Sequence, residues 1–299
     1  MKKYRHLIEY LVLKTFLFIA SILPWKSLPC IAGFFGFLGH TLPWSRSRLV
    51  SRNLLIAFPD WKPEKRKEVA KVFWKRICFV ALEAAKAISE RAEWMSENVI
   101  IDNHDVFRDV LSRGKGAIIH TGHFGNWELS ALGIAQSGYP LAALVRNQKN
   151  PYVDEWMVSF RSKYGCKVFG HHDVGREILT WAKKGGIIGI LMDHNLYKGG
   201  IFVDFFKKPA ATTTITALLH LKLGAPIIGV RSYRKDGKCR LHVEEIDLSN
   251  TVNQETVERS EKVRLLTQAL TDIIETWVRE DPANWLWGHN RWKRQPVKN

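Results

Sequence analysis

From Gly116 onward, short apolar runs alternate with helical stretches, and this alternation restricts the fold more than any other feature of the chain. The runs Ala117–Thr121, Leu141–Val145, Lys167–Phe169, Ile187–Met192 and Ile227–Tyr233 have strand length, with Arg240–Ile246 as a late addition. Between them lie helical stretches at about Asn126–Gln136, Tyr152–Tyr164, Val174–Lys184 and Thr212–Leu223. Such an order predicts an α/β fold: a twisted mixed, mostly parallel sheet flanked by helices on both faces. A final helix, roughly Gln254 to Glu280, carries Val263, Leu266, Leu270, Ile274 and Trp277 on one side and stops before Pro282.

The N-terminal part differs in character. Lys2, Lys3 and Arg5 precede an apolar run from Leu7 to Leu23, broken by Glu9 and Lys14. Its roughly 17 residues reach about 25 Å as a helix, close to the hydrocarbon core of a bilayer but a little short. Pro24, Trp25 and Lys26 follow, with no small-x-small cleavage site, which argues against a cleaved signal peptide. A second apolar stretch, Leu28 to Leu42, is rich in Gly and Phe and suits the membrane interface. Residues 1–48 are therefore expected to form a membrane-associated helical segment, and 49–299 the α/β domain; a buried or interfacial helix is the alternative for the first run. Lys26, Arg46, Arg48 and Arg52 flank both sides and leave the orientation open. Arg52–Pro59 reads as a connection, and Pro63 to about Glu90 as a long amphipathic helix with Val69, Val72, Phe73, Ile77, Val80, Ala84 and Ile88 on its apolar face.

Composition narrows the class of partner. The chain holds 45 Lys plus Arg against 29 Asp plus Glu, a net charge of +16. Such a surplus attracts nucleic acid, anionic lipid headgroups or an acidic carrier protein. No finger, RNP-like run or basic heptad region is present, which argues against nucleic acid. Twelve Trp favour lipid, because Trp is enriched where an apolar body meets a wet edge. Cys30, Cys78, Cys166 and Cys239 are isolated from one another, so neither a zinc nor a redox motif is signalled, and reduced thiols in a cytosol-facing protein are expected.

The segment with chemical content is Gly116-Ala-Ile-Ile-His-Thr-Gly-His-Phe-Gly-Asn-Trp-Glu128. A strand ends at Thr121, Gly122 and Gly125 bracket a turn, and a helix starts near Asn126. That places His123 beyond the carboxyl end of a strand, where open α/β sheets bind ligands. His123 and Glu128 lie five apart, about 140° around an ideal helix, and meet only if His123 sits in the turn and Glu128 in the first helical turn. A carboxylate on one ring nitrogen would fix the tautomer and leave the other nitrogen to take a proton from an alcohol. On spacing alone, a turn histidine beside a solvated glutamate stands as the alternative. No H-E-x-x-H motif or positioned third ligand supports a metal.

Gly122-His-Phe-Gly-Asn-Trp-Glu128 resembles the H-x4-D/E block of the lysophospholipid acyltransferase superfamily, in the form found in the bacterial late acyltransferases of lipid A biosynthesis. Three further blocks resemble that family in order: Arg52-Asn-Leu-Leu-Ile-Ala-Phe-Pro59; Asp193 through Thr212, with Phe202-Val-Asp-Phe-Phe206 and Pro209-Ala-Ala-Thr212; and Trp285-Leu-Trp-Gly-His-Asn-Arg-Trp-Lys293. The resemblance spans nearly the whole chain. It implies transfer of an acyl group from acyl carrier protein or acyl-CoA to a lipid hydroxyl, with no metal or organic cofactor, at the cytoplasmic face of the bacterial inner membrane. It makes His123 the base, Glu128 its orienting partner and Arg161 a functional arginine; Arg146 is a second candidate for holding a phosphate or an oxyanion. Asp193, at a strand end, is expected to be structural or acceptor-binding, and Asn126 to lie in the substrate site. His194 stands where the family usually has Gln, while Lys207 and Ile215 replace usual glycines; these departures bear on the acceptor more than on the reaction. The Trp285, Trp287 and Trp292 cluster, with Arg291, Lys293 and Arg294, reads as a headgroup anchor, with packing on the core as the alternative. A different glycolipid, phospholipid or amino-acid lipid acceptor, and a non-catalytic basic membrane- or nucleic-acid-binding protein, are the competing readings.

Overall fold

The computed structural model describes residues 2–90, 92–170, 175–196, 199–252 and 258–296. Its N-terminal helices are α1 (Lys2–Ile22), α2 (Leu28–Thr41), α3 (Ser45–Ala57), α4 (Pro63–Ala87) and α5 (Ala92–Asn98). Then follow β1 (Val99–Ile101), α6 (His104–Ser112), β2 (Ala117–Thr121), α7 (Trp127–Gln136), β3 (Leu141–Val145), α8 (Pro151–Lys163), β4 (Lys167–Gly170), α9 (Arg176–Lys183) and β5 (Ile187–Leu191). The chain continues through β6 (Ile201–Phe205), β7 (Lys208–Thr212), α10 (Ile215–Leu223), β8 (Ile227–Lys235), β9 (Lys238–Ile246), α11 (Ser249–Val252) and α12 (Arg259–Glu280). The predicted helix starts at Val174 and Gln254 lie outside the described residues.

Among these residues the main sheet has seven strands in the order β1-β9-β8-β2-β5-β3-β4. Neighbours are parallel except β8 and β9, a hairpin whose turn residues Asp236 and Gly237 both have positive φ, 53° and 74°. Asp-Gly is the pair that tolerates such a turn. Both faces of the sheet are covered, as the apolar strands require. In β2, Ile118 packs into one core with α12 residues Leu266, Leu270 and Ile274, whereas Ala117 and Ile119 face the opposite core with Leu129 and Leu132 of α7. The period of two along a strand thus sorts its residues between two helical layers.

One sequence expectation needs correction, and one element was not foreseen. Arg52–Pro59 is not a connection: most of it belongs to α3, which buries Val50, Asn53, Leu54 and Ala57. Its arginines and serines obscure a helical face with apolar residues four apart. The stretch between β5 and α10 also holds a separate antiparallel hairpin, β6–β7. At its tip Phe206 and Lys207 take φ of 54° and 55°, a left-handed conformation that glycine adopts without strain.

The N-terminal helices expose much apolar surface, including Ile8, Val12, Phe18 and Ile22 on α1 and Phe34, Phe35 and Phe37 on α2. Among the described residues no single helix is long and apolar enough to cross a membrane; α1 and the segment Trp25–Thr41 would suffice together but are bent by 107°. Gly36 and Gly39 let α2 lie close on α4, where a Cβ at Gly36 would stand 2.7 Å from the Lys75 backbone.

Candidate active site

The site grows from the pairing of β2 with β5. These strands are parallel and in register, with Thr121 opposite Leu191. Two residues past each strand end, His123 and Asp193 therefore emerge side by side at the carboxyl edge. Met192 N–H donates to Thr121 O at 3.0 Å and carries the pairing one step further. The intervening turn depends on glycine. A Cβ at Gly122 would stand 3.1 Å from the Asp193 carboxyl carbon, and one at Gly125, where φ is +48°, would stand 2.6 Å from Ser232 Oγ.

Asp193 is almost fully buried and takes three hydrogen bonds. The ring Nδ1–H of His123 donates to Oδ1 at 2.8 Å, the backbone N–H of His123 to Oδ2 at 2.7 Å, and the Trp285 indole to Oδ2 at 2.8 Å. Burial pushes this carboxyl up, but the charge and hydrogen bonds of His123, with His194 beside it, outweigh burial and hold Asp193 well below the usual carboxylate range. An ionised carboxylate on Nδ1 fixes the proton there and leaves Nε2 as the basic nitrogen. The imidazole is largely buried, between the edge-on ring of Trp127, 4.9 Å away, and the parallel ring of His194, 4.0 Å away.

The expectation that Glu128 orients His123 is corrected by this geometry. Glu128 occupies the first turn of α7 and faces Arg161 on α8, which donates through Nη2 at 2.8 Å and Nε at 3.2 Å. Two carboxylates near one turn had two hydrogen-bond donors to satisfy, and strand adjacency gave the imidazole to Asp193. Asn126 caps α7 by accepting from Leu129 N–H at 3.2 Å and donates to buried Glu83 at 2.9 Å; it also borders the large cavity described below. Arg146 is exposed just past the end of β3, on the same edge of the sheet.

The C-terminal cluster is also corrected. Trp285, Trp287 and Trp292 are at most 2% exposed and Arg291 is 1% exposed, so they are core and not a headgroup anchor. Trp285 and Trp292 pack on Phe205 of the β6–β7 hairpin, and Arg291 ties Ala211 O at 2.7 Å to Thr212 Oγ1 at 2.5 Å. Burial lowers the Arg291 guanidinium to about 10, partly offset by Asp193. Asn53 donates from Nδ2 to Trp287 O at 2.8 Å and His289 O at 2.7 Å. Hence all four blocks distinguished in the sequence meet at one edge of the sheet. Asn53 and His289 stand inside two of the resembling blocks, but their contact was not legible in sequence, since 236 residues separate them along the chain.

A small cleft beside His123, bordered by Ile77, Val80, Trp127 and Trp285, holds about 10 Å³, the room for one water. It shares Arg76, Val80, Gly125 and Asn284 with a cavity of about 850 Å³. The larger space runs along α4 to Trp25 and Pro29 at the elbow between α1 and α2, with Phe79 and Trp94 as further walls. Lys26, Lys75, Arg76 and Arg234 bring positive charge to it; Arg76 is paired with Asp281 and Arg234 with Glu83.

Fold and edge together define an α/β protein with its crevice beyond the carboxyl ends of a mostly parallel sheet. Residues 1–294 match the family model for bacterial lipid A biosynthesis acyltransferases, and the chain belongs to that family. It is similar to the lipid A biosynthesis lauroyltransferase of Escherichia coli, at 23% identity over 84% of this chain and 80% of the relative. It also resembles the palmitoleoyltransferase of the same organism, at 24% over 91% and 89%. A phosphatidylinositol mannoside acyltransferase of Mycolicibacterium smegmatis matches at 23% over 66% and 64%. An enzyme of this family works on an acyl donor and a lipid acceptor.

Proposed function

We propose that this protein moves a fatty acyl group from a thioester, on acyl carrier protein or coenzyme A, to a hydroxyl of a lipid A precursor at the cytoplasmic face of the bacterial inner membrane. The observation that carries this reading is the His123–Asp193 pair, with Nε2 left to act as base beside a cleft that shares walls with a large, largely apolar cavity. In the reaction, His123 Nε2 takes the acceptor hydroxyl proton as the oxygen bonds to the thioester carbonyl carbon. The tetrahedral oxyanion collapses, the C–S bond breaks, and the departing thiolate receives the proton from the imidazolium. Asp193 remains ionised throughout and balances the imidazolium charge. Arg161, held by Glu128, and exposed Arg146 are the cations assigned to an acceptor phosphate or to the oxyanion. The large cavity suits the acyl tail, and the end of it walled by Trp25 and Pro29 lies beside exposed apolar helices that favour immersion in the interface.

The mycobacterial relative favours a second reading, acylation of another membrane glycolipid. Mass spectrometry of membrane lipids from cells with and without the protein separates the two: one added acyl mass appears on a lipid A precursor or on a different glycolipid. With purified protein in mixed micelles, His123→Ala and Asp193→Asn should each lower kcat by about 10²–10⁴. Wild-type rates retained by His123→Ala would sink the base assignment, and no transfer from any thioester by wild type would sink the reaction.

A further inference from the structure

His194 has no place in the reaction as written, yet its ring lies flat on that of His123. The centroids are 4.0 Å apart and the planes 7° from parallel. His289 covers the other face of His194 at 4.1 Å and 21°, so three imidazoles from three separate segments form one stack. His289 Nε2 accepts the backbone N–H of Asn195 at 2.9 Å, a bond it can make only with that nitrogen unprotonated.

We propose that His194 is a positioning residue for the base: its ring, stacked on His123, stabilises the imidazolium formed when the acceptor hydroxyl loses its proton. This rests on the reading of His123 as base. The groups around the stack are Asp193 and His123 at the strand ends, Trp127 on α7, His289 and Arg291 in the C-terminal segment, and Arg46 at the start of α3. Of these, Asp193 alone is anionic, and it binds His123 directly. Two like charges 4.0 Å apart in a site sheltered from water repel strongly, so the stack carries one proton charge at a time. Asp193 draws that charge to His123. Burial, and then the charge of His123, lower His194 to about 3; burial chiefly lowers His289 to about 4. The second and third rings thus offer uncharged π faces at the pH where the enzyme works, and a π face beside a cation is attractive.

The test compares His194→Phe, which keeps an aromatic face, with His194→Gln, which removes it. Two readouts are taken on the full chain in micelles: NMR titration of the His123 ring and the pH profile of kcat. Loss of the π face in His194→Gln should move the His123 titration and the acid limb about 0.5 toward lower pH and reduce kcat about two- to fivefold. His194→Phe should stay close to wild type in both. Equal behaviour of the two variants, an unmoved titration, or a move toward higher pH overturns the proposal. If wild type transfers no acyl group the base reading falls by itself, and the titration of His123 then decides the stacking alone.

Discussion

At the residue scale the contest is between two carboxylates for one imidazole. Glu128 is near His123 in sequence, but the first turn of α7 directs it to Arg161. Asp193 is 70 residues away along the chain and still supplies two hydrogen-bond acceptors to His123. On the proposed mechanism Glu128 serves only to hold Arg161 in place. Glu128→Ala and Arg161→Ala should therefore be strongly non-additive, with the double variant losing no more kcat/KM than the worse single within about threefold. Fully additive losses in a double-mutant cycle would show that the two side chains act separately. The motif was legible in sequence because Gly122, His123 and Gly125 sit at a strand end. The identity of the ring's partner was not, because nothing in one strand reveals its neighbour.

At the element scale, glycine decides how helices approach. Gly36 allows α2 to rest against the backbone of α4, the helix that borders both the His123 cleft and the large cavity. Gly36→Leu should push α2 away and destabilise the fold by about 1–3 kcal/mol in urea unfolding. An unchanged midpoint would mean that the contact does not bear on stability. Lengths of the long helix and the central strands were readable because burial on both sheet faces leaves continuous apolar runs, and because Pro63 and Pro282 punctuate the helices. The short β1 was not readable, nor was α3, whose charged side chains mask a narrow buried stripe. The β6–β7 hairpin escaped because Phe206 and Lys207 are unusual residues for a tight turn with positive φ.

At the scale of the molecule, the buried imidazoles tie stability to pH. Burial lowers His120 to about 4, His289 to about 4 and His194 to about 3, against 6.5 for an ordinary imidazole. Between those limits the unfolded chain binds more protons than the folded one, so stability falls as pH drops from about 6.5 toward 4. Asp193 works in a lower window: its depressed carboxyl contributes stability that is complete above the ordinary carboxylate value and is lost only in stronger acid. Tm should therefore be lower at pH 5 than at pH 7, and His120→Leu should flatten that difference by removing the ring buried against Trp277. A Tm that is equal or higher at pH 5 would contradict the linkage.

The chain by itself determined its class. Hydrophobic period selects strand or helix locally, and the order of those elements leaves a helix-covered parallel sheet as the way to bury them. Four dispersed blocks likewise carried the family resemblance, with His123 in its turn. Tertiary structure decided what those blocks do to one another: Asp193 meets His123, Glu128 meets Arg161, the C-terminal tryptophans enter the core, and three imidazoles stack. Periodicity is encoded within a few neighbouring residues, whereas each of these contacts depends on which strand lies beside which, a choice made by the packing of the entire chain.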